Sequence, residues 1–164
     1  MPYPGYHPTL RRPAPLSRRA SDDLVGPTDH WLIPDNVQEN RVEFVAHRTS
    51  PTNIGLQLLS TLAAYDFGYI TVTSLLIRLE ATFATLLAMQ RYRGHFYNWY
   101  DTRTLDPLQP RYISTVDSGN LAGYLVTLRA ALIQLDERTP VVTASFLEGL
   151  DDVAGLVEEE VGRG

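Results

Sequence analysis

The sequence predicts an all-α fold with an extended segment at its N-terminal end. Three observations support this prediction. Leucine-rich stripes recur at helical spacing in several stretches of the chain. Ser50 followed by Pro51, and later Gly68, mark the start and the end of the first stretch. The hydrophobic content of 44%, with 20% charged residues, is that of an ordinary globular domain with a substantial core.

Composition and motifs exclude several classes of function. The net charge of −5 makes nucleic acid and anionic membranes poor partners. The chain has no Cys, which excludes disulfides and thiolate metal sites. No apolar run approaches the roughly 20 residues of a membrane span. Its four His residues lie far apart, without the spacing of a metal-binding helix. No phosphate-binding glycine motif or nucleophile elbow is present, so we expect neither a metal nor a cofactor.

A disordered segment followed by one folded domain is predicted. Residues 1–27 are rich in Arg and Pro with little to bury, which predicts disorder. Residues 28–164 are expected to form one helical domain. Its first part, residues 28–47, is predicted to be an extended surface segment that packs onto the body through Trp31.

The stripes predict four helices, near residues 51–67, 72–93, 119–136 and 140–160. Gly94 is expected to end the second helix.

The third helix carries two local predictions. Asp117 or Ser118 is expected to cap its N-terminus. Gly119 and Gly123 lie four residues apart, so another helix or a ligand could approach this face closely.

A long polar loop at residues 95–117 separates the second and third helices, and its length favours a functional role. Five aromatic residues lie in it: Phe96, Tyr97, Trp99, Tyr100 and Tyr112. Such rings stack on the apolar C–H faces of a pyranose, while neighbouring Asn, Asp and Arg side chains bind its hydroxyls. The alternative is a buried loop whose rings fill the core, and both interpretations stay open at this point.

Two carboxylates, Asp101 and Asp117, lie inside this loop. A facing pair of carboxylates could in principle hydrolyse a glycosidic bond. Structural roles compete with that chemistry: an N-cap for Asp117, which we favour, and an Asx-turn before Thr102 for Asp101.

Four ordered motifs carry a family resemblance. They are PDNVQE at 34–39, AHRTSPTNIG at 46–55, RGHFYNWYDT at 93–102 and YISTVDSGNL at 112–121. Together they resemble the glycoamylase-like central region of bacterial cyclic β-1,2-glucan synthases. Those proteins are very large, are associated with the membrane, and join this region to a glycosyltransferase domain and a phosphorylase-like region.

The resemblance implies an (α/α)6 toroid, in which helical hairpins surround a sugar cleft and rim loops carry the ligand contacts. This chain would supply part of the toroid. The positions expected to line or brace the cleft, as substrate-binding residues, are Arg48, Thr49, Asn53, Asn98, Trp99, Tyr100, Asp101, Asp117 and Asn120. No residue of this chain matches the catalytic carboxylates of the family, so no catalytic residue is expected.

The function implied is that of a fragment of a cyclic β-1,2-glucan synthase-like protein, whose parent activity is glucan chain transfer and cyclisation. Because the family continues well beyond the residues matched here, we expect a truncated piece that is inactive alone. Its expected partners are β-1,2-glucan and the missing half of the synthase. Its expected location is the cytoplasm, with the parent protein at the inner membrane. A non-catalytic β-glucan-binding module or an inert gene remnant are the alternatives.

Overall fold

The computed structural model describes residues 24–38, 44–136, 147–149, 151 and 155. Three long helices form its body: α1 (Pro51–Asp66), α2 (Val72–Ala88) and α3 (Thr115–Asp136). The described chain is therefore mostly helical, as predicted. The predicted helix at 140–160 and the predicted disorder of residues 1–27 lie largely outside the described residues. Within the former range, residues 147–149, 151 and 155 are helical.

Helix α1 forms as its sequence predicts. The Ser50 side chain accepts a hydrogen bond from the Asn53 N–H at 3.2 Å, and Pro51 occupies the first turn. Gly68 follows the helix with a φ of 78°, a conformation that glycine adopts without strain. One side of the helix is buried and packs mainly against α3, with further contacts to α2.

The hydrophobic core lies between the three helices. Ten buried residues form it: Leu32, Ile54, Leu58, Leu62, Leu75, Leu79, Leu86, Met89, Tyr100 and Leu128. Three of them come from outside the helices: Leu32 from the extended segment, Met89 from just beyond the end of α2, and Tyr100 from the polar loop. The aromatic loop therefore contributes one ring to the core, as the core-filling interpretation expected, while its other rings remain partly exposed.

The prediction that the second helix reaches residue 93 and ends at Gly94 is wrong. Helix α2 ends at Ala88, and Met89 is buried with an extended ψ of 138°. The strands β4 (Arg91–Tyr92) and β5 (His95–Phe96) then form an antiparallel hairpin. Its two-residue connection has φ values of 50° at Arg93 and 85° at Gly94, as in a type I′ turn. Gly94 thus serves a hairpin rather than a helix end.

The N-terminus of α3 also differs from the prediction. The helix begins at Thr115, and Ser114 Oγ accepts a hydrogen bond from the Asp117 N–H at 3.1 Å. Asp117 therefore lies in the first turn of α3, so the prediction that Asp117 or Ser118 is the cap is wrong. A serine three residues upstream takes the capping role, which leaves the Asp117 carboxylate free to bind other side chains.

Of the two close approaches considered at Gly119 and Gly123, a helix contact is not found among the described residues, and the approach of a ligand stays a prediction. A Cβ built at either glycine has no heavy atom of the described chain within 4 Å. The close contact is instead at Gly55 of α1, where a Cβ would overlap the Tyr124 ring and lie 3.1 Å from its Cγ. At the close contact between these two helices, α1 supplies the glycine, Gly55, and α3 supplies the large side chain, Tyr124.

Three two-stranded pairings accompany the helices. Besides the β4–β5 hairpin, β1 (Val37–Gln38) pairs with β2 (Phe44–Val45). The strands β3 (Arg48–Thr49) and β6 (Tyr100–Asp101) pair antiparallel, with Arg48 opposite Asp101 and Thr49 opposite Tyr100. The helical pattern did not predict these strands. The β3–β6 pairing connects the residues before α1 to the polar loop.

The extended segment is held by buried polar contacts. It begins with a 3-10 helix, Pro27–Asp29. Buried Gln57 of α1 donates to the Trp31 carbonyl and accepts from the Ile33 N–H, both at 2.7 Å. Thr85 of α2 donates to the His30 carbonyl at 2.6 Å. Leu32 is fully buried whereas Trp31 is only partly so, and the main apolar anchor is therefore Leu32 rather than the predicted Trp31.

Large apolar side chains on the outer faces of α2 and α3 are exposed to solvent. Leu87 is 77% exposed and Val126 is 69% exposed. Among the described residues, no helix combines the length and the hydropathy that crossing a membrane requires.

The contact between Gly55 and Tyr124 predicts the effect of one methyl group. Gly55→Ala should destabilise the chain by about 1–3 kcal/mol, because the added Cβ overlaps the Tyr124 ring and lies 3.2 Å from its Cβ, so the ring or the helices must shift. Urea unfolding followed by circular dichroism measures this change.

Gly123→Ala on α3 is the matched control, since its added Cβ meets open space. Ala is the better helix former, so this variant should be more stable than the parent by up to about 1 kcal/mol. Equal effects of the two substitutions would contradict the helix packing described above.

Candidate functional site

The β3–β6 pairing assembles the polar site at the N-terminal end of α1. The Arg48 guanidinium carbon lies 4.8 Å from the centre of the Trp99 ring. Asn53, in the first turn of α1, donates to the same carboxylate as Arg48. The prediction that Trp99 and Tyr100 lie on the same side of the bundle as Arg48 and Asn53 is therefore confirmed.

Arg48 is fixed by Asp35. Its Nε and Nη2 donate to one Asp35 oxygen at 3.1 and 2.9 Å, while the other oxygen accepts from Asn53 Nδ2 at 3.2 Å. The Asp35 N–H also donates to the Arg48 carbonyl at 2.7 Å. A guanidinium has five N–H donors, so three remain without a partner in the described chain. Asp35 was not among the predicted site residues, although its position in the motif at 34–39 was the signal that could have identified it.

Asn98 is the centre of a hydrogen-bond network and is only 6% exposed. Its partners fix its orientation, with the amide oxygen accepting from Trp99 Nε1 and from the Tyr112 hydroxyl, each at 2.7 Å. The amide nitrogen donates to Asp117 Oδ2 at 2.9 Å. The backbone adds a hydrogen bond from the Asn98 N–H to the Tyr112 carbonyl at 2.9 Å.

Asp117 connects the first turns of two helices. Its Oδ1 accepts from the Thr52 hydroxyl of α1 at 2.6 Å. That hydroxyl oxygen accepts in turn from Asn120 Nδ2 of α3 at 3.1 Å. Helix N-termini favour negative charge, so a carboxylate shared by two of them is well placed.

Thr49 and Tyr100 brace the site from within the core. Both are fully buried. The Tyr100 hydroxyl donates to the Gln90 carbonyl at 2.6 Å and accepts from the Tyr97 N–H at 2.7 Å. Neither side chain reaches solvent, so neither can line a cleft directly.

The Asp101 carboxylate holds its own loop. Its Oδ1 accepts from the backbone N–H of Arg103 at 2.8 Å and of Thr104 at 3.1 Å. These are the hydrogen bonds of an Asx-type turn, which confirms the structural role considered for this residue. The Arg103 guanidinium lies 3.9 Å from the other carboxylate oxygen.

A second polar cluster lies behind β3. Asp29, which is 8% exposed, accepts hydrogen bonds from His47 Nδ1 at 2.7 Å and from the Thr102 hydroxyl. His30 Nδ1 donates to the Thr102 carbonyl at 2.9 Å. His47 and Arg48 are consecutive in an extended stretch, so their side chains leave on opposite faces. Sequence analysis missed this cluster because its members are far apart in the chain.

No group of three or more potential metal ligands exists in the described ranges.

The fold belongs to a recognisable class. A solved structure of a proposed glucoamylase from Bacteroides fragilis NCTC 9343 superposes with a TM-score of 0.61, covering 90% of this chain and 34% of that one. At 16% sequence identity, this likeness shows a shared glucoamylase-like fold.

The sequence comparison is more specific. The chain is 43% identical over 154 residues to the cyclic β-(1,2)-glucan synthase NdvB of Rhizobium meliloti (strain 1021). The match covers 94% of this chain and 5% of that protein, so the chain spans a small part of its relative. The resemblance to cyclic β-1,2-glucan synthases is thereby confirmed. No model of a known protein family matches the chain.

The buried phenol of Tyr100 predicts alkaline sensitivity. Burial raises the pKa of Tyr100 from 10.0 to about 12. Because the folded state favours the protonated phenol, this contribution to stability is complete below about pH 10 and is lost as the pH rises towards 12. We expect the urea midpoint to fall across that interval.

Tyr100→Phe has no phenol to ionise and should lose that part of the pH dependence, whatever its stability at neutral pH. Tyr92→Phe is the control, because Tyr92 is half-exposed on the β4–β5 hairpin. An alkaline fall of the same size in Tyr100→Phe as in the parent would show that other groups cause it.

Proposed function

We propose that this chain is part of the glycoamylase-like region of a cyclic β-1,2-glucan synthase. We propose further that the polar site around Arg48, Asp35 and Trp99, called the polar rim below, binds β-1,2-glucan. The observation that carries the proposal is the Arg48 guanidinium held over Trp99 by Asp35. These three residues come from three of the motifs that resemble the synthase family. The identity to NdvB along nearly the whole chain supports the same assignment over an unrelated glucan-binding module.

The chemistry of this rim suits a sugar. The Trp99 ring is partly exposed with the Arg48 guanidinium over it, and the part of the ring that stays exposed suits pyranose C–H groups. The three remaining N–H donors of Arg48 are directed by a guanidinium that Asp35 and Trp99 hold in place, so little side-chain entropy is lost on binding. Donors in a planar fork match pairs of neighbouring hydroxyl oxygens.

Local charge favours a neutral ligand over an anion. The carboxylates Asp35, Asp101 and Asp117 lie at this rim with the guanidinium groups of Arg48 and Arg103. Since acids outnumber bases, a phosphate or carboxylate ligand would be repelled, whereas an uncharged polyol would not. An unsubstituted glucan has this property.

The wider assignment follows the resemblance. We propose that residues 28–164 form one domain contributing helical hairpins to an (α/α)6 toroid in the parent synthase. The remaining part of the toroid would cover the exposed apolar faces of α2 and α3 and would supply the catalytic carboxylates. We propose a cytoplasmic location for this region, with the parent protein associated with the inner membrane.

Glucan binding is directly testable with the purified full chain. Isothermal titration calorimetry with linear β-1,2-glucan should give a saturable binding curve, which does not depend on either tryptophan as a reporter. Trp99→Ala and Arg48→Ala should each weaken binding by roughly tenfold, which corresponds to about 1.4 kcal/mol. Arg48→Lys should weaken binding almost as much, because an ammonium lacks the planar fork.

Tyr92→Ala is the control for the binding experiment, since it removes an exposed ring on the neighbouring hairpin. Its affinity should equal that of the parent. No saturable binding curve for the parent, or equal losses in Tyr92→Ala and Trp99→Ala, would refute the proposed site.

The chain alone should not cleave or cyclise β-1,2-glucan. Glycoside chemistry needs two facing carboxyl groups, one of them tuned by enclosure to act as an acid. Asp101 and Asp117 each accept two hydrogen bonds within the fold, so both serve structural roles. Product analysis after incubation with linear glucan tests this expectation. Release of shorter or cyclic glucans that Asp101→Asn abolishes would show that the chain is itself an enzyme.

A further inference from the structure

We propose that Asp117 is a positioning residue which, through Asn98, fixes Trp99 and Tyr112 as the two aromatic walls of one pyranose subsite. The identity of the ligand rests on the proposed function, whereas the positioning role rests on the hydrogen bonds alone. Tyr112 was one of the loop aromatics but was not among the predicted site residues.

Trp99 and Tyr112 both donate a hydrogen bond to the same atom, the amide oxygen of Asn98. Trp99 Nε1 and the Tyr112 hydroxyl each lie 2.7 Å from the Asn98 amide oxygen. Tyr112 is nevertheless 47% exposed, so its polar end is tied down while much of its ring faces solvent. Trp99 is likewise only partly buried. Because both side chains are hydrogen-bonded to one buried oxygen, the two partly exposed rings are held in a fixed position relative to each other.

The direction of these hydrogen bonds explains why Asp117 is needed. An indole N–H can only donate, and an ionised carboxylate can only accept. Asn98 carries one acceptor and one donor group, and an amide can rotate to exchange them. With a carboxylate on the nitrogen side, only one orientation satisfies both neighbours. The indole N–H and the Asp117 carboxylate thus select the same orientation, and Asp117 holds the amide in place from its nitrogen side.

Asp117 is itself anchored on the opposite side. Its second oxygen accepts from the Thr52 hydroxyl at 2.6 Å, so the chain of contacts runs from α1 to the rings. Asn98 is buried, Asp117 and Thr52 are partly buried, and Tyr112 is 47% exposed. The subsite would therefore take a neutral pyranose through ring contacts, with Asp117 acting at a distance from it.

The indole signal of Trp99 reports on this arrangement without any ligand. The chain has two Trp residues, so a ¹H–¹⁵N spectrum of the full chain has two indole signals, which Trp99→Phe assigns. Asp117→Asn should shift the Trp99 signal and speed its exchange with water by roughly fivefold or more, because its acceptor is no longer held in place. Affinity for linear β-1,2-glucan should fall by a similar factor. Asp117→Glu, which keeps a carboxylate, should restore part of both effects.

Thr52→Val separates positioning from stability. It removes the other hydrogen bond to Asp117 but leaves Oδ2 available to Asn98. This variant should lower Tm while the Trp99 indole signal stays in place. An unchanged indole signal in Asp117→Asn would overturn the positioning role, even if glucan affinity fell, since Asp117 would then contact the ligand directly.

Tyr112→Phe tests the second wall in case Asp117→Asn fails to fold. It removes only the hydroxyl that tethers an exposed ring, so the fold should tolerate it. Glucan affinity should fall by roughly threefold while the Trp99 indole signal persists. Unchanged affinity would overturn the two-walled subsite. A parent chain that binds no glucan would refute the proposed function but leave the indole result standing.

Discussion

The antiparallel pairing of Arg48–Thr49 with Tyr100–Asp101 is the contact on which the site depends. It joins two parts of the chain that lie about 50 residues apart, and helical propensity does not favour it. The fully buried Tyr100 anchors the pairing, because its hydroxyl closes the loop onto the Gln90 carbonyl. Immediately before this buried residue in the chain, Trp99 lies under Arg48 and Asn98 hydrogen-bonds Asp117.

Polar groups in this fold hold the structure together and also form the proposed binding site. Asp35 orients Arg48 and also hydrogen-bonds Asn53 at the start of α1. Asp117 joins α1 to α3 while directing the Asn98 amide. These shared hydrogen bonds hold the side chains of the proposed site in place without a ligand, which would lower the entropic cost of the binding proposed above. The same sharing makes it difficult to remove one function without disturbing the other, so paired variants are needed to separate them.

Sequence reasoning succeeded where the determining contacts are local. The start of α1 followed from Ser50 and Pro51, whose effects extend over one helical turn. It failed at the end of α2, because the arginine and glycine of a type I′ turn compete there with an otherwise helical stretch. Motif positions named most of the residues that the structure brings together at the N-terminal end of α1, including Arg48 and Trp99. The role of Asp35 and the cluster around Asp29 depend on contacts between distant residues, which a single sequence does not display.

Gln57 links the core to the rim through one amide group. It binds both sides of the extended segment around Leu32, and that segment continues directly into Asp35, the residue that holds Arg48. If this extended segment detached from Gln57, Asp35 would move with it, and the Arg48 guanidinium would lose the contact that holds it above the Trp99 indole. The rim and the helical core should therefore open as one cooperative unit in native-state hydrogen exchange, with no separately melting lid over the site.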